Sequence, residues 1–165
     1  MPNIGTQTIG ATPRQVNALA RGSQITMTED GTLTDIVAYL SDSATGDTFG
    51  AAIYDNAGNR LATSTTRTNI STAGWYTFTG FSQALTNGAS YWLMAGSGDS
   101  VGNANAYHDA GAGSGVTISG TITWPATNDF GASSDARQYS IYATYTAAGG
   151  ASAFPSPIYA SMMLA

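Results

Sequence analysis

Short runs of alternating apolar and polar residues recur along most of the chain, and Gly, Asn and Asp separate them. Residues 24–28 read QITMT, and the Asp30-Gly31 dipeptide that follows is a strong hairpin-turn signal. β-branched and aromatic residues, which favour strands, are common in these runs. The spacing predicts eight or nine short strands and therefore an all-β fold, an antiparallel β-sandwich with a jelly-roll-like arrangement. The other main runs are TLTDIVAYL (32–40), FGAAIYD (49–55), WYTFTGF (75–81), SYWLMA (90–95), VTISGTITW (116–124) and QYSIYATYT (138–146).

The alternation also predicts which side chains share a face, because successive side chains of a strand point to opposite sides of the sheet. Trp75 lies opposite to Tyr76, and Tyr142 lies opposite to its neighbour Ile141. Trp92 lies inside an apolar run and is expected in the core. Trp75 follows a glycine at the start of its strand, and both a core position and an exposed one remain open for it.

The predicted domain organisation is one β-sandwich over residues 1–146, a flexible linker over 147–153 and an apolar C-terminal arm over 154–165. The linker is rich in Gly, Ala and Ser, a composition typical of flexible connections. Within the sandwich, the N-terminal segment 1–22 is expected to be extended. A short helix from Thr12 is the alternative, since Pro13 suits the first position of a helix.

The arm reads FPSPIYASMMLA, and it carries no charge. Burying its large side chains would contribute on the order of 10–15 kcal/mol. Ordering twelve residues costs roughly 1–2 kcal/mol each, so the two terms nearly cancel. The arm therefore needs backbone hydrogen bonds, most simply as a strand added to a sheet edge, either of its own sandwich or of a neighbouring subunit. The predicted assembly residues are Phe154, Ile158, Tyr159, Met162, Met163 and Leu164.

Charge is scarce and acidic in these 165 residues, since charged residues are 9% and the net charge is -5. A typical domain has roughly 25% charged residues. The chain has no lysine and only five arginines, which argues against binding nucleic acid or an anionic membrane surface. The absence of cysteine excludes disulfides and thiolate metal sites. The N-terminus lacks the pattern of a signal peptide, so synthesis in a host cytoplasm without export is expected.

Residues 31–96, about two fifths of the chain, resemble small jelly-roll domains with the look of a carbohydrate-binding module. The resemblance rests on four pieces: GTLTDIVAYL, FGAAIYDNAGNRLATS, TAGWYTF and NGASYWLMA. Such domains occur in phage virion proteins, among them capsid decoration and tail-associated proteins, and in some bacterial surface proteins. The resemblance implies the fold more directly than the function, because these sandwiches have many roles.

Catalysis has little support in the sequence. A Ser/His/Asp triad would have to use the one histidine, His108, with Asp109 or Asp129, and the chain has no G-x-S-x-G motif. Asp55 and Asn59 resemble half of a calcium loop, but no glutamate follows at the required spacing, and a hairpin turn is the simpler interpretation. We therefore expect no enzymatic activity, no cofactor and no metal.

The aromatic residues of the chain favour a sugar-binding site. Residues 96–115 are predicted to form a long Gly-, Ser- and Asn-rich loop that carries His108 facing solvent. Aromatic rings can stack on sugar rings, and the imidazole and carboxylate can hydrogen-bond hydroxyl groups. The candidate glycan-binding residues are Trp75, Tyr76, Tyr107, His108 and Asp109.

Two functional hypotheses follow. The first is a non-enzymatic virion structural protein, in its most specific form a phage capsid decoration protein that stabilises the seams between subunits. Its partners would be other virion subunits and further copies of itself, and its location the virion. The alternative is a glycan-binding module or adhesin on a virion or cell surface.

Overall fold

The computed structural model of the protein describes residues 1–41, 48–65, 67–68, 70–98, 103–119, 122–131 and 134–149. The predicted assembly residues in the arm 154–165 lie outside the described residues. The described residues contain no α-helix and form thirteen strands. These are β1 (Asn3–Gly5), β2 (Thr12–Gln15), β3 (Leu19–Thr26), β4 (Gly31–Ser41), β5 (Thr48–Asp55), β6 (Arg60–Thr63), β7 (Arg67–Thr68), β8 (Gly74–Phe78), β9 (Gln83–Leu85), β10 (Ser90–Ser97), β11 (Asn105–Ser119), β12 (Ser134–Tyr139) and β13 (Ile141–Ala147).

The strands pair antiparallel in two layers joined by β11. In the first layer β1 pairs with β13 and β13 with β4, whose other edge takes β8 and β9. In the second layer β3 pairs with β10 and β10 with β5, whose other edge takes β6 and β7. The start of β11 pairs with the end of β4, and its last five residues pair with β3. The predicted all-β antiparallel sandwich is confirmed.

The main core lies between the two layers. It takes every second residue of the long strands, as the alternation predicts: Ile36, Ala38 and Leu40 of β4 meet Leu93 of β10 and Ile53 of β5. Each of these side chains is almost entirely buried. Burial of this kind stabilises by roughly 1.5–3 kcal/mol for each large aliphatic side chain, so this core supplies most of the drive to fold.

A second apolar cluster lies on the outer side of the second layer. Here the alternate side chains of β5 and β10, Tyr54, Trp92 and Met94, are covered by the segment 122–131 that follows β11. The Phe130 ring stacks on Trp92 at a centroid distance of 4.8 Å and meets Tyr54 edge-on. The Tyr54 hydroxyl donates to the Pro125 carbonyl at 3.1 Å. We call this segment the cover; it makes the central strands of the second layer buried on both faces.

Two sequence-based expectations about local structure are wrong. The long loop predicted over 96–115 is mostly strand in the described part: β10 continues to Ser97, and β11 takes residues 105–119. Its Gly- and Ala-rich residues have weak intrinsic strand preference, but pairing with β2, β3, β4 and β12 along its edges overrides this. The hairpin predicted at Asp30-Gly31 is also wrong, because the strands on either side of it, β3 and β4, do not pair with each other and lie in different layers. The extended conformation expected for the N-terminal segment is confirmed over Thr12–Gln15, which is strand β2 rather than a helix.

A charged cluster ties β2, β3 and β12 together at one end of the interior. Arg14 and Arg137 both donate to the same oxygen of Asp135, Arg137 at 2.7 Å. Arg21 is 7% exposed, and it donates to the Gln15 carbonyl at 2.8 Å and to the Thr117 hydroxyl at 2.5 Å. Burial lowers the pKa of Arg21. The cluster therefore collects three of the five arginines on the inner side of the sandwich.

Candidate functional site

Four aromatic rings form a continuous surface on the outer side of the first layer. Tyr39 is central: its ring meets Tyr107 edge-on at 5.0 Å and Trp75 edge-on at 5.4 Å between centroids. Trp75 in turn meets Tyr142 at 5.3 Å. All four side chains are half-buried. We call these four residues the aromatic face.

Strand pairing brings the four rings together from distant parts of the chain. Tyr39 on β4 lies directly opposite Trp75 on β8, and Tyr142 on β13 lies opposite Val37, two residues before Tyr39. Cross-strand neighbours on one face are close enough for aromatic side chains to touch. Each ring points outward because its strand neighbours point into the main core.

Ser140, at the junction of β12 and β13, connects the strands that carry this surface. Its carbonyl accepts a hydrogen bond from the Tyr39 amide, and its amide donates to the Tyr107 carbonyl, both at 2.9 Å. Its hydroxyl, which is buried, accepts a bond from the Gly10 amide at 2.8 Å. The backbone around the aromatic rings is therefore held by several strands at once, which favours a preformed surface.

Gly5 leaves one flank of Tyr142 open. It lies opposite Tyr142 in the pairing of β1 with β13, and it has a positive φ of 118°. A Cβ at this position would come within 2.7 Å of the Ile141 carbonyl oxygen, so a larger residue would displace the strand. Because glycine has no side chain, nothing from β1 covers the Tyr142 ring at this position.

Polar groups surround the rings. Asp35 and Thr144 lie beyond Tyr142 on the same side of the sheet, and the Thr144 hydroxyl donates to the Asp35 carboxylate at 2.8 Å. Among the described residues, no hydrogen bond is made by the hydroxyl groups of Tyr39, Tyr107 and Tyr142. The surface therefore combines apolar ring area with hydroxyl groups to which no described residue is hydrogen-bonded.

The aromatic face carries almost no charge. The arginines whose side chains are described lie elsewhere: Arg14, Arg21 and Arg137 in the interior cluster, and Arg60 against the Trp124 carbonyl of the cover. The carboxylates on this side of the sheet are Asp35, four residues before Tyr39 on β4, and Asp109, two residues after Tyr107 on β11. Such a surface has nothing described to pair with an acidic ligand, and it is suited to a neutral one.

The structure brings together two of the five predicted glycan-binding residues, turns two others to the inner side, and leaves Asp109 on the outer side, two residues after Tyr107 on β11. Trp75 and Tyr107 belong to the aromatic face. Tyr76 points to the other side of its strand, packs against the main core and donates its hydroxyl to the Thr72 carbonyl at 2.7 Å. His108 is 5% exposed rather than facing solvent, because it follows Tyr107 on a strand and so points inward, where its ring meets Tyr139. Asp109 is exposed and accepts a hydrogen bond from the Ala11 amide at 2.9 Å.

Tyr39 and Tyr142 are the functional candidates that the sequence reasoning missed. The signal was present, since both lie in alternating runs at positions opposite to the apolar row. Their outward direction could be predicted, but their meeting with Trp75 depends on which strands pair.

The Asp55–Asn59 segment is a turn between β5 and β6. The Asp55 carboxylate accepts bonds from the Asn59 amide nitrogen and from its side-chain nitrogen, both at 2.8 Å. The side-chain bond with Asn59 is the main cause that lowers the pKa of Asp55. Both oxygens thus stabilise the turn, and no group of three or more acidic or histidine residues suited to a metal occurs in the described part of the chain.

No protein-family model matches the chain, and no curated protein matches it. Over the described ranges, no helix is long and apolar enough to cross a membrane.

Proposed function

We propose that this protein is a non-enzymatic carbohydrate-binding module that binds neutral sugars on the aromatic face. The observation that carries the proposal is the contiguous set of four outward-facing rings, three of which bear hydroxyl groups without a partner among the described residues. Binding sites for small polar ligands combine aromatic area with a few placed polar groups. Tyr and Trp offer both in one side chain.

The form of the surface fits this role. Sugar rings have flat faces of C–H groups that stack on aromatic rings, and hydroxyl groups at their edges that exchange hydrogen bonds. The tyrosine hydroxyls and the Asp35–Thr144 pair are placed around the rings, where such edges would lie. The backbone that carries the rings is tied at Ser140, so binding would require little reordering of the protein.

A panel of neutral and acidic polysaccharides, titrated by calorimetry against the native protein, tests the proposal. We expect binding of a neutral polysaccharide and no stronger binding of an acidic one. Tyr107→Ala should weaken that binding at least tenfold, which is about 1.4 kcal/mol.

Tyr76→Phe is the control. Tyr76 follows Trp75 directly on β8, but its side chain points to the other side of the sheet. It should leave the affinity unchanged. Absence of binding by the native protein, or equal losses in Tyr107→Ala and Tyr76→Phe, would overturn the proposal.

The virion structural function stays a prediction. It depends mainly on the arm, whose residues lie outside the described ones, and no match links the chain to virion proteins. A carbohydrate-binding surface is compatible with a place on a virion, since the two roles would use different parts of the chain.

A further inference from the structure

The arginine cluster at the end of the interior lies on the side of β11 opposite to Tyr107. Arg14 on β2 lies opposite Ala106 of β11, and Arg137 on β12 lies opposite Ala110. Residues 106 and 110 of a strand point to the same side, and Ala106 belongs to the main core. Both arginines therefore lie on the inner side of the sheet, away from the aromatic face.

Positive charge exceeds negative charge in this cluster. Arg14 and Arg137 form the two ion pairs of the described residues, and both use the same oxygen of Asp135. Arg21 donates to uncharged oxygens, those of Gln15 and Thr117. Burial lowers the pKa of Arg21, and the nearby charge of Arg14 lowers it further. Three arginines less one aspartate leave an excess of two positive charges, which favours a further anion.

Arg14 and Arg137 are open to solvent on the side away from the aspartate. Their side chains are 34% and 35% exposed, whereas that of Asp135 is 17% exposed. Each arginine uses its Nη1 for the carboxylate, so the two guanidinium groups lie side by side. A guanidinium carries donors on all of its nitrogens. The Nε and Nη2 groups of both arginines form no hydrogen bond with another described residue, and they remain available to a ligand.

We infer that Arg14 and Arg137 together bind one oxyanion group, a sulfate or a phosphate, on their solvent side. The planar fork of a guanidinium donates to two oxygens of such a group at once. The ligand carries a single group of this kind, since the net charge of -5 repels a polyanion from the chain as a whole. A free inorganic anion and an ester group on a small molecule share this chemistry.

The two arginines are held in place without the anion. The strands that carry them, β2 and β12, both pair with β11, and Asp135 holds both guanidinium groups. Asp135 fits there because Gly115 lies opposite it, where a Cβ would come within 2.2 Å of its Oδ1. Binding therefore requires little further ordering of either arginine side chain, which lowers its entropic cost.

Titration of the full chain with sodium sulfate, followed through the NMR signals of the arginine Nε–H groups, tests the inference. Sodium chloride holds the ionic strength constant. We expect a saturable shift of the Arg14 and Arg137 signals. Arg137→Gln should weaken sulfate binding roughly tenfold, because it removes one of the two forks. Arg60→Gln is the matched control, since Arg60 donates to the Thr123 and Trp124 carbonyls outside the cluster, and it should change the affinity less than about twofold.

The amide signals of β10 check that the sandwich stays folded, and Arg14→Gln repeats the test should Arg137→Gln unfold the protein. Glucose 6-sulfate, titrated in the same way, distinguishes the two sources of the group. Tighter binding of glucose 6-sulfate than of sulfate indicates an ester, and equal or weaker binding indicates the free anion. Shifts that grow without saturation, or that are as large at Arg60, would reveal a general effect of salt and overturn the inference. Equal losses of affinity in Arg137→Gln and Arg60→Gln would overturn it as well.

Discussion

The two outer faces of the sandwich both carry aromatic residues, but these residues differ in how deeply they are buried. On the second layer, Trp92 and its aromatic neighbour Tyr54 lie beneath the cover, and Trp92 is 8% exposed. On the first layer, Trp75 and the three tyrosines of the aromatic face stay half-buried, with no comparable segment over them in the described part of the chain. One face is a second core, and the other is left half-buried by the residues that the structure describes.

The difference shows how little the identity of an aromatic residue says about its role. Tryptophan occurs in both faces at the outward positions of alternating strands. What separates them is the connection between β11 and β12, which returns over the second layer and places Trp124 and Phe130 there. The aromatic face stays half-buried because no other segment of the described residues packs over it.

The largest expected effect is the difference between the two tryptophans in stability. Trp92→Ala should lower the free energy of unfolding by roughly 3–5 kcal/mol, since it empties a buried site. Trp75→Ala should cost about 1–2 kcal/mol, because it loses edge contacts with two tyrosines at the surface. Urea denaturation of both variants measures this, and equal losses would contradict the division into a second core and a half-buried aromatic face.

Loss of Phe130 should open the cover. Phe130→Ala removes the ring that stacks on Trp92, and we expect a loss of about 3 kcal/mol, at the low end for a buried phenylalanine. Trp92 should then become accessible, with a red shift of the tryptophan emission. Thr127→Ala in the same segment is the control; Thr127 is exposed, and its replacement should stay within about 0.5 kcal/mol. An unchanged emission in Phe130→Ala would show that the cover is held by other contacts.

Alkaline pH should weaken the covered face through Tyr54. Burial raises the pKa of Tyr54 to about 12, from an ordinary value near 10. Because the folded state holds this proton more tightly than the unfolded state, the contribution is complete below pH 10 and is lost as the pH rises from 10 to 12. The loss should reach roughly 2–3 kcal/mol. The difference in unfolding free energy between the native protein and Tyr54→Phe, followed across this range, isolates it, and a constant difference would contradict it.

The smallest change in stability is expected on the open face. Tyr39→Phe and Tyr142→Phe keep the rings and remove hydroxyls that have no partner among the described residues, so the free energy of unfolding should change by less than about 0.5 kcal/mol. Affinity for the neutral polysaccharide should fall several-fold, because a hydrogen bond to the ligand is lost. If both variants bind as tightly as the native protein, the hydroxyl groups take no part in recognition.

Much of the fold was predictable because strand alternation is a local property. The apolar rows of β4 and β13 and the opposition of Trp75 to Tyr76 follow from neighbouring residues. The Asp30-Gly31 turn signal did not give the pairing, because the chain crosses there from one layer to the other. The strand at residues 105–119 was not predictable in this way. Its glycines have a weak intrinsic preference for strands. Gly115 is needed for a close approach, because a Cβ at this position would lie 2.2 Å from a carboxylate oxygen of Asp135. That proximity exists only after β11 and β12 have paired.

The candidate site shows the same division. By itself, the sequence determined an acidic, lysine-free, all-β chain and the side of each strand on which its aromatic residues lie, because composition and the two-residue period need no partner. Only the tertiary structure decided that Tyr39, Trp75, Tyr107 and Tyr142 meet, that His108 turns inward, and that the cover packs on Trp92 and not on Trp75. The first two outcomes depend on which strands pair and in which register. The third depends on the cover, which lies about thirty residues further along the chain than Trp92. A pattern of neighbouring residues does not predict contacts between residues so far apart in the sequence.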